Sequence, residues 1–360
     1  MKDHLLTLRN VLGLLLAGSV GGFIVFYFGG PMPFLIGSLL SVGLLAMIGT
    51  ATDRPLPEFP QPLRRVFVGV IGAMIGQSFT TELLGLIPEL WPSLLAVIPF
   101  VALTQTANYA VFRRLGGYDK TTAFFSAMPG GLIEAITLGE QAGANVPALT
   151  LQQFARIVLV VITVPMLFLI WSGHSVGSAA GQRLSNDPAT WIDVVLILGM
   201  ALIGAPLAAR IRLPAPMLLG PMILSAIAHI SGLTDTHSPA WLLHFSQLVI
   251  GAGLGSLFGQ SNLRQLGRAL WLGAVTVTIM LTLAILTAVL LNPFVPINAE
   301  TLFISYAPGG VTEMSLIALS LGVTPVIVAT HHIFRILLAI LAITLSPRRW
   351  YTDDPGPHRP

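Results

Sequence analysis

Long apolar stretches recur from one end of the chain to the other, and polar residues are mostly confined to the short connections between them. The stretches run at 10–28, 34–50, 65–80, 91–112, 121–140 and 147–171, then at 191–209, 216–232, 241–258, 269–291, 301–320 and 324–346. Most approach the roughly twenty residues that a helix needs to cross about 30 Å of hydrocarbon. In lipid a helix satisfies its own backbone hydrogen bonds. The pattern therefore predicts an all-α polytopic membrane protein.

The second six stretches repeat the first. Pro129-Gly130-Gly131-Leu132-Ile133-Glu134 returns 179 residues later as Pro308-Gly309-Gly310-Val311-Thr312-Glu313, and Arg156 falls on Arg335 at the same offset. Pro33 and Gly37 match Pro216 and Gly220, while Gly72 and Gly76 match Gly251 and Gly255. The expected division is a first membrane repeat over 1–173, a connecting loop over 174–190, a second repeat over 191–347 and a disordered cytoplasmic tail over 348–360. A period this long is a duplicated bundle, not a solenoid.

Loop charge gives the relative orientation of the copies, because Lys and Arg collect in cytoplasmic loops. In the first half the basic loops are 51–65 and 113–120, whereas 29–33 and 81–90 carry no Lys or Arg. The matching loops reverse each bias. Loops 210–212 and 259–268 are basic, and 233–240 and 292–300 are not. Opposite bias at four matched loops predicts inverted repeats.

Inversion requires an odd number of crossings per half, yet each half has six apolar stretches. One must return to the side it came from. Pro-Gly-Gly breaks a helix, and the arms it leaves, 121–128 and 132–140, reach only about 12–14 Å each. The expectation is five crossings plus one re-entrant hairpin per half, with both termini cytoplasmic. A kink that merely aids packing is the plainer alternative.

Composition narrows the function classes. Of 360 residues, 54% are hydrophobic and 9% charged, with no cysteine. Thiol chemistry is excluded. The net charge of +3 reads as topology signal beside lipid headgroups, not as a nucleic-acid surface. There is no HExxH, P-loop or GxSxG motif and no set of converging metal ligands, so an enzyme is not expected.

The residues that stand out are charges inside apolar stretches, which are costly and by default functional. Gly130, Gly131, Glu134 and Arg156, with Gly309, Gly310, Glu313 and Arg335, form the candidate substrate site. Backbone N–H groups at the tips suit an anion, and carbonyls of the incoming arms suit a cation. Two roles compete for the charges. In one, Glu134 pairs with Arg156 and Glu313 with Arg335, or crosswise, to pin each hairpin to a helix. In the other, the arginines bind an anionic solute and a glutamate carries a coupled H⁺ or Na⁺. Gln152 and His331 share a helix face with the arginines at i, i+4. His331 is a candidate proton relay, with a satisfied core histidine as its alternative.

The paired segments around Pro129 to Arg156 and Pro308 to Arg335 resemble the AbrB-type bacterial membrane family, and the resemblance covers nearly the whole chain. It implies a candidate transport protein of the cytoplasmic membrane, although family labels include "ammonia monooxygenase" and regulator of gene expression. The family's name is shared with a small DNA-binding regulator that this sequence does not resemble. A more distant likeness to inverted-repeat antiporters implies a hairpin-bearing core that slides against a scaffold, and a homodimer. The expected function is ion-coupled secondary transport of a small, anionic solute bound at the bilayer midplane between the hairpin tips. No cofactor is expected beyond the coupling H⁺ or Na⁺. The partners would be the solute and the lipid bilayer. A membrane regulator acting through a partner is the first alternative, and a membrane monooxygenase the second.

Overall fold

The computed structural model describes residues 2–57, 59–80, 85–172, 189–213, 215–260, 262–345 and 351. Most of the expected connecting loop and most of the tail lie outside these. Tyr351 is described, and its ring packs against those of Phe124 and Phe125. Among the described residues there are fourteen α-helices, three short 3-10 turns and no strand. They are α1 (Lys2–Tyr27), α2 (Pro33–Ala51), α3 (Gln61–Gly76), α4 (Trp91–Arg114), α5 (Lys120–Ala127), α6 (Leu132–Gln141) and α7 (Val146–Ser172), followed by α8 (Trp191–Arg210), α9 (Pro216–Ile230), α10 (Ala240–Ser256), α11 (Leu263–Leu291), α12 (Ala299–Tyr306), α13 (Val311–Leu321) and α14 (Pro325–Leu345). The chain is an all-α, multi-pass membrane protein.

Among the described residues, eight helices are long and apolar enough to cross a bilayer: α1, α2, α4, α7, α8, α10, α11 and α14. The other two expected crossings are shorter, α3 with 16 residues and α9 with 15. Helix α3 begins four residues earlier than the apolar pattern suggests, because Pro62 presets the first helical turn. The large apolar side chains left outside, such as Leu16, Phe23, Leu103 and Leu202, suit a lipid solvent.

The helices sort into two compact units. One contains Met1–Gly85, Ile162–Leu263 and Ser315–Val326; the other contains Leu86–Val161, Arg264–Met314 and Ile327–Pro360. The first five helices of each repeat are divided alike, and the last two are not. Helices α1–α3 and their counterparts α8–α10 share the first unit. The second holds α4, α5, α6 and the start of α7, with α11, α12, the start of α13 and most of α14.

Within the first unit the copies exchange equivalent contacts, as halves related by a two-fold axis do. A Cβ on Gly72 would strike the Leu218 carbonyl, and one on Gly251 would strike that of Leu35. Gly76 faces the Met222 carbonyl and Gly255 that of Leu39, at 2.5 and 2.7 Å from the Cβ position. Helix α3 thus seats its glycines on α9 of the other repeat, and α10 seats its glycines on α2. The small-residue spacing is helix packing, as its pattern suggests. Even local strain is copied: Met32 and Ala215, one residue before Pro33 and Pro216, adopt φ of 43° and 44°.

Candidate anion site at the helix breaks

Both Pro-Gly-Gly triplets interrupt a helix. The first break separates α5 from α6 and the second separates α12 from α13. Each incoming arm opens on an N-cap that accepts from the chain three residues on. Asp119 takes the Thr122 N–H at 2.8 Å and Asn298 takes the Thr301 N–H at 2.9 Å. Helices α5 and α6 fold back on one another. Asn145 N–H, just past the end of α6, donates to Thr122 Oγ1 near the start of α5 at 2.8 Å. A continuous helix would hold those residues far apart, so this segment is a hairpin. Its turn needs left-handed backbone, with φ of 113° at Gly130 and 67° at Gly131.

The arginines reach backbone. Arg156 Nη1 donates to Met128 O at 2.6 Å, and Arg335 Nη1 donates to the equivalent Ala307 O at 2.9 Å. Arg335 Nη2 also donates to Gly309 O at 2.9 Å. These carbonyls end the incoming arms, where a helix leaves its last acceptors open and carries partial negative charge. Each guanidinium is a cation placed on a helix C-terminus. Both side chains are buried, 5% exposed for Arg156 and 2% for Arg335.

The glutamates take the opposite pole. Glu134 occupies the third position of α6 behind its N-cap Gly131, and its Oε2 lies 2.9 Å from where a Cβ on that glycine would stand. In the other copy the Glu313 carboxylate folds onto Gly310 in the same way. A glutamate reaching back over its N-cap is one half of a capping box, with the carboxylate at the positive end of the helix. The site expected for an anion at each outgoing arm therefore has a carboxylate of the protein beside it.

Two tips meet at one guanidinium. Arg335, bonded to the second tip, has Nε 3.2 Å from the Cβ position of Gly130 in the first. The Arg156 charge also acts on Arg335. Nε of both arginines is buried without a hydrogen-bond partner among the described residues. Two buried cations thus stand near one another, each with an unused donor.

Around the arginines the paired polar residues diverge. Gln152 turns aside to donate to Tyr118 Oη at 2.8 Å, whereas Gln153 holds the Phe125 and Ser126 carbonyls. His331 lies against Ser93 and Tyr306, and Tyr306 Oη donates to the Ser93 carbonyl. Sequence reasoning missed the structural part of Gln153, Ser93 and Tyr306. The i, i+3 spacing from Gln153 to Arg156 was a signal for the first; nothing in the sequence marks the other two. Among the described residues no group of three or more His, Asp or Glu side chains is placed to hold a metal ion.

The sequence profile of the family described as "Transition state regulatory protein AbrB" matches residues 34–351, which takes in both breaks and both arginines. The chain belongs to the AbrB family. Two relatives are similar to it over most of its length. "Uncharacterized protein YhjN" of Bacillus subtilis (strain 168) is 30% identical over 342 residues, 89% of this chain and 88% of that one. "Putative regulator AbrB" of Escherichia coli (strain K12) is 24% identical over 327 residues, 89% of this chain and 92% of that one.

Proposed function

We propose that this AbrB-family protein is an ion-coupled secondary transporter of a small anion, bound between the two helix breaks by Arg156 and Arg335. The observation that carries the reading is Arg335, a buried cation bonded to one tip and pressed against the other, with Nε unused. The carbonyl bonds leave that Nε donor open for a ligand at the point where the two breaks come together. Transporters built from inverted repeats hold a solute near the bilayer midplane between broken helices such as these. The proposal places the protein in the cytoplasmic membrane with both termini inside, in keeping with the Arg and Lys of loops 51–65, 113–120, 210–212 and 259–268.

A regulatory reading is supported by two descriptions, that of the family and that of the E. coli relative. A membrane sensor would use the same anion site without moving the ligand. The two readings share a first test. Purified protein is screened for thermal stabilisation by acetate, lactate, succinate, sulfate and inorganic phosphate. The expected result is a rise in melting temperature with one anion class, lost in Arg335→Lys, a change that keeps the charge but not the planar fork. Stabilisation that survives in Arg335→Lys would move the site away from the breaks.

A further inference from the structure

Transport of an anion leaves the coupling ion open, and the duplication provides an internal comparison for it. Around the breaks the second repeat copies the Pro-Gly-Gly, the glutamate, the serine before the tip (Ser126, Ser305) and the arginine. Among the positions where the copy departs is an adjacent pair of polar residues close to the arginine: Gln152 and Gln153 stand where the second repeat has His331 and His332. An amide does not gain or lose a charge near neutral pH, whereas an imidazole can.

The two histidines differ in what they have left to bind. His331 uses both ring nitrogens, Nδ1 with Ile327 O at 2.8 Å and Nε2 with Ser93 Oγ at 2.9 Å. His332 commits Nδ1 as a donor to Val328 O at 2.9 Å, and its Nε2 is buried with no hydrogen-bond partner among the described residues. The residue is 0% exposed. Within reach of its ring lies the Ala307 backbone, whose carbonyl Arg335 holds. The charged or titratable groups that act on His332 are Arg335 and His331, both on its own helix. The arm of the second break adds Tyr306 beside His331, and α4 adds Ser93. No carboxylate of the described residues is among them.

Building on the transport function proposed above, we propose that His332 Nε2 is the proton-binding atom of a proton–anion symport site, taking up H⁺ together with a small anion held at Arg335. A second positive charge beside Arg335 is costly in a low-dielectric interior. An anion on the arginine removes that cost and offers the protonated Nε2 an acceptor. Each ligand then favours the other by the same factor, as linkage requires. Sodium finds fewer free oxygens here. The Met128, Ala307 and Gly309 carbonyls accept from guanidinium nitrogens, and those of Phe125 and Ser126 accept from Gln153. Unwound carbonyls of this kind are the groups a sodium site would use.

The test uses full-length protein in lipid nanodiscs, with acetate, lactate and sulfate as sodium or potassium salts. Dissociation constants are measured between about pH 6 and about pH 8, where none of the three anions changes charge appreciably. Wild-type affinity should weaken as pH rises, by up to about tenfold per pH unit for one coupled proton, and equally in both cations. His332→Gln, which copies Gln153, should bind with no pH dependence, while His331→Gln keeps it. Wild-type binding that ignores pH, or a pH dependence that survives in His332→Gln, overturns the proton assignment and leaves the anion site standing. An affinity that requires sodium does the same. Binding of none of the three anions, or binding indifferent to Arg335→Lys, overturns both.

Discussion

Arg335 keeps a full charge away from water by giving it to backbone. Its contacts are carbonyls at the end of a helix, where charge-assisted hydrogen bonds and the helix dipole act together. Removing it strands those buried acceptors. Arg335→Ala is expected to cost about 3–5 kcal/mol, the range for breaking a buried charged contact from one side, read as a fall in the unfolding transition in detergent. Arg335→Lys should unfold closer to wild type, since it returns a donor and a charge. Glu134 makes a milder prediction. If its carboxylate serves as a cap, Glu134→Gln stays within about 0.5 kcal/mol of wild type, because glutamine fills the same capping position. Glu134→Ala should lose about 1 kcal/mol. Equal damage from both changes would point instead to a role for the charge. At this scale the sequence marked the charged residues but not their partners. Glu134 and Arg156 read as a candidate pair, whereas the structure sends one to its own N-cap and the other to the Met128 carbonyl. Backbone acceptors carry no letter in a sequence. His332 was hidden behind His331 because the i, i+4 rule was applied and the i, i+3 rule, equally valid on a helix face, was not.

Elements were more legible than contacts. Pro-Gly-Gly announced both breaks, and the arms observed at 120–127 and 132–141 lie within a residue of those drawn from the apolar pattern. Asp119 and Asn298 are ordinary N-caps at matching positions and could have fixed the arm starts from sequence. The glycine pairs were legible as packing, but their reciprocal partners were not, since a spacing does not say which helix lies opposite. That reciprocity is testable. Gly72→Ala and Gly251→Ala each drive a methyl into a carbonyl of the facing helix, so both should destabilise by about 1–3 kcal/mol. Gly199, also in a helix, has nothing within 4 Å of a built Cβ. Gly199→Ala should be neutral or stabilising by up to about 1 kcal/mol. Thermal unfolding of the three variants checks the pattern. A tolerated Gly72→Ala beside a damaging Gly251→Ala would argue against equivalent halves.

For the whole molecule, inversion was read from loop charge, and the division of each repeat between two compact units was not. Hydropathy records that a helix is buried, not which neighbours bury it. The hairpin sets the sidedness of everything after it. With α5 and α6 returning to the side they left, the loop between α9 and α10 is extracellular; with a crossing there, it is cytoplasmic. Asp235 is exposed in that loop. A cysteine placed there in this cysteine-free chain is expected to react with an impermeant thiol reagent from outside intact cells. Labelling only after permeabilisation would remove the hairpin. The central claim, that an anion held between the breaks is carried across the membrane, is tested most directly in proteoliposomes. Uptake of isotope-labelled acetate, lactate and sulfate is measured with wild-type protein and with Arg335→Lys. The account predicts saturable uptake of at least one of them by the wild type, lost in the variant. An anion that binds through Arg335 but never enters the vesicles would contradict transport and make the protein a receptor.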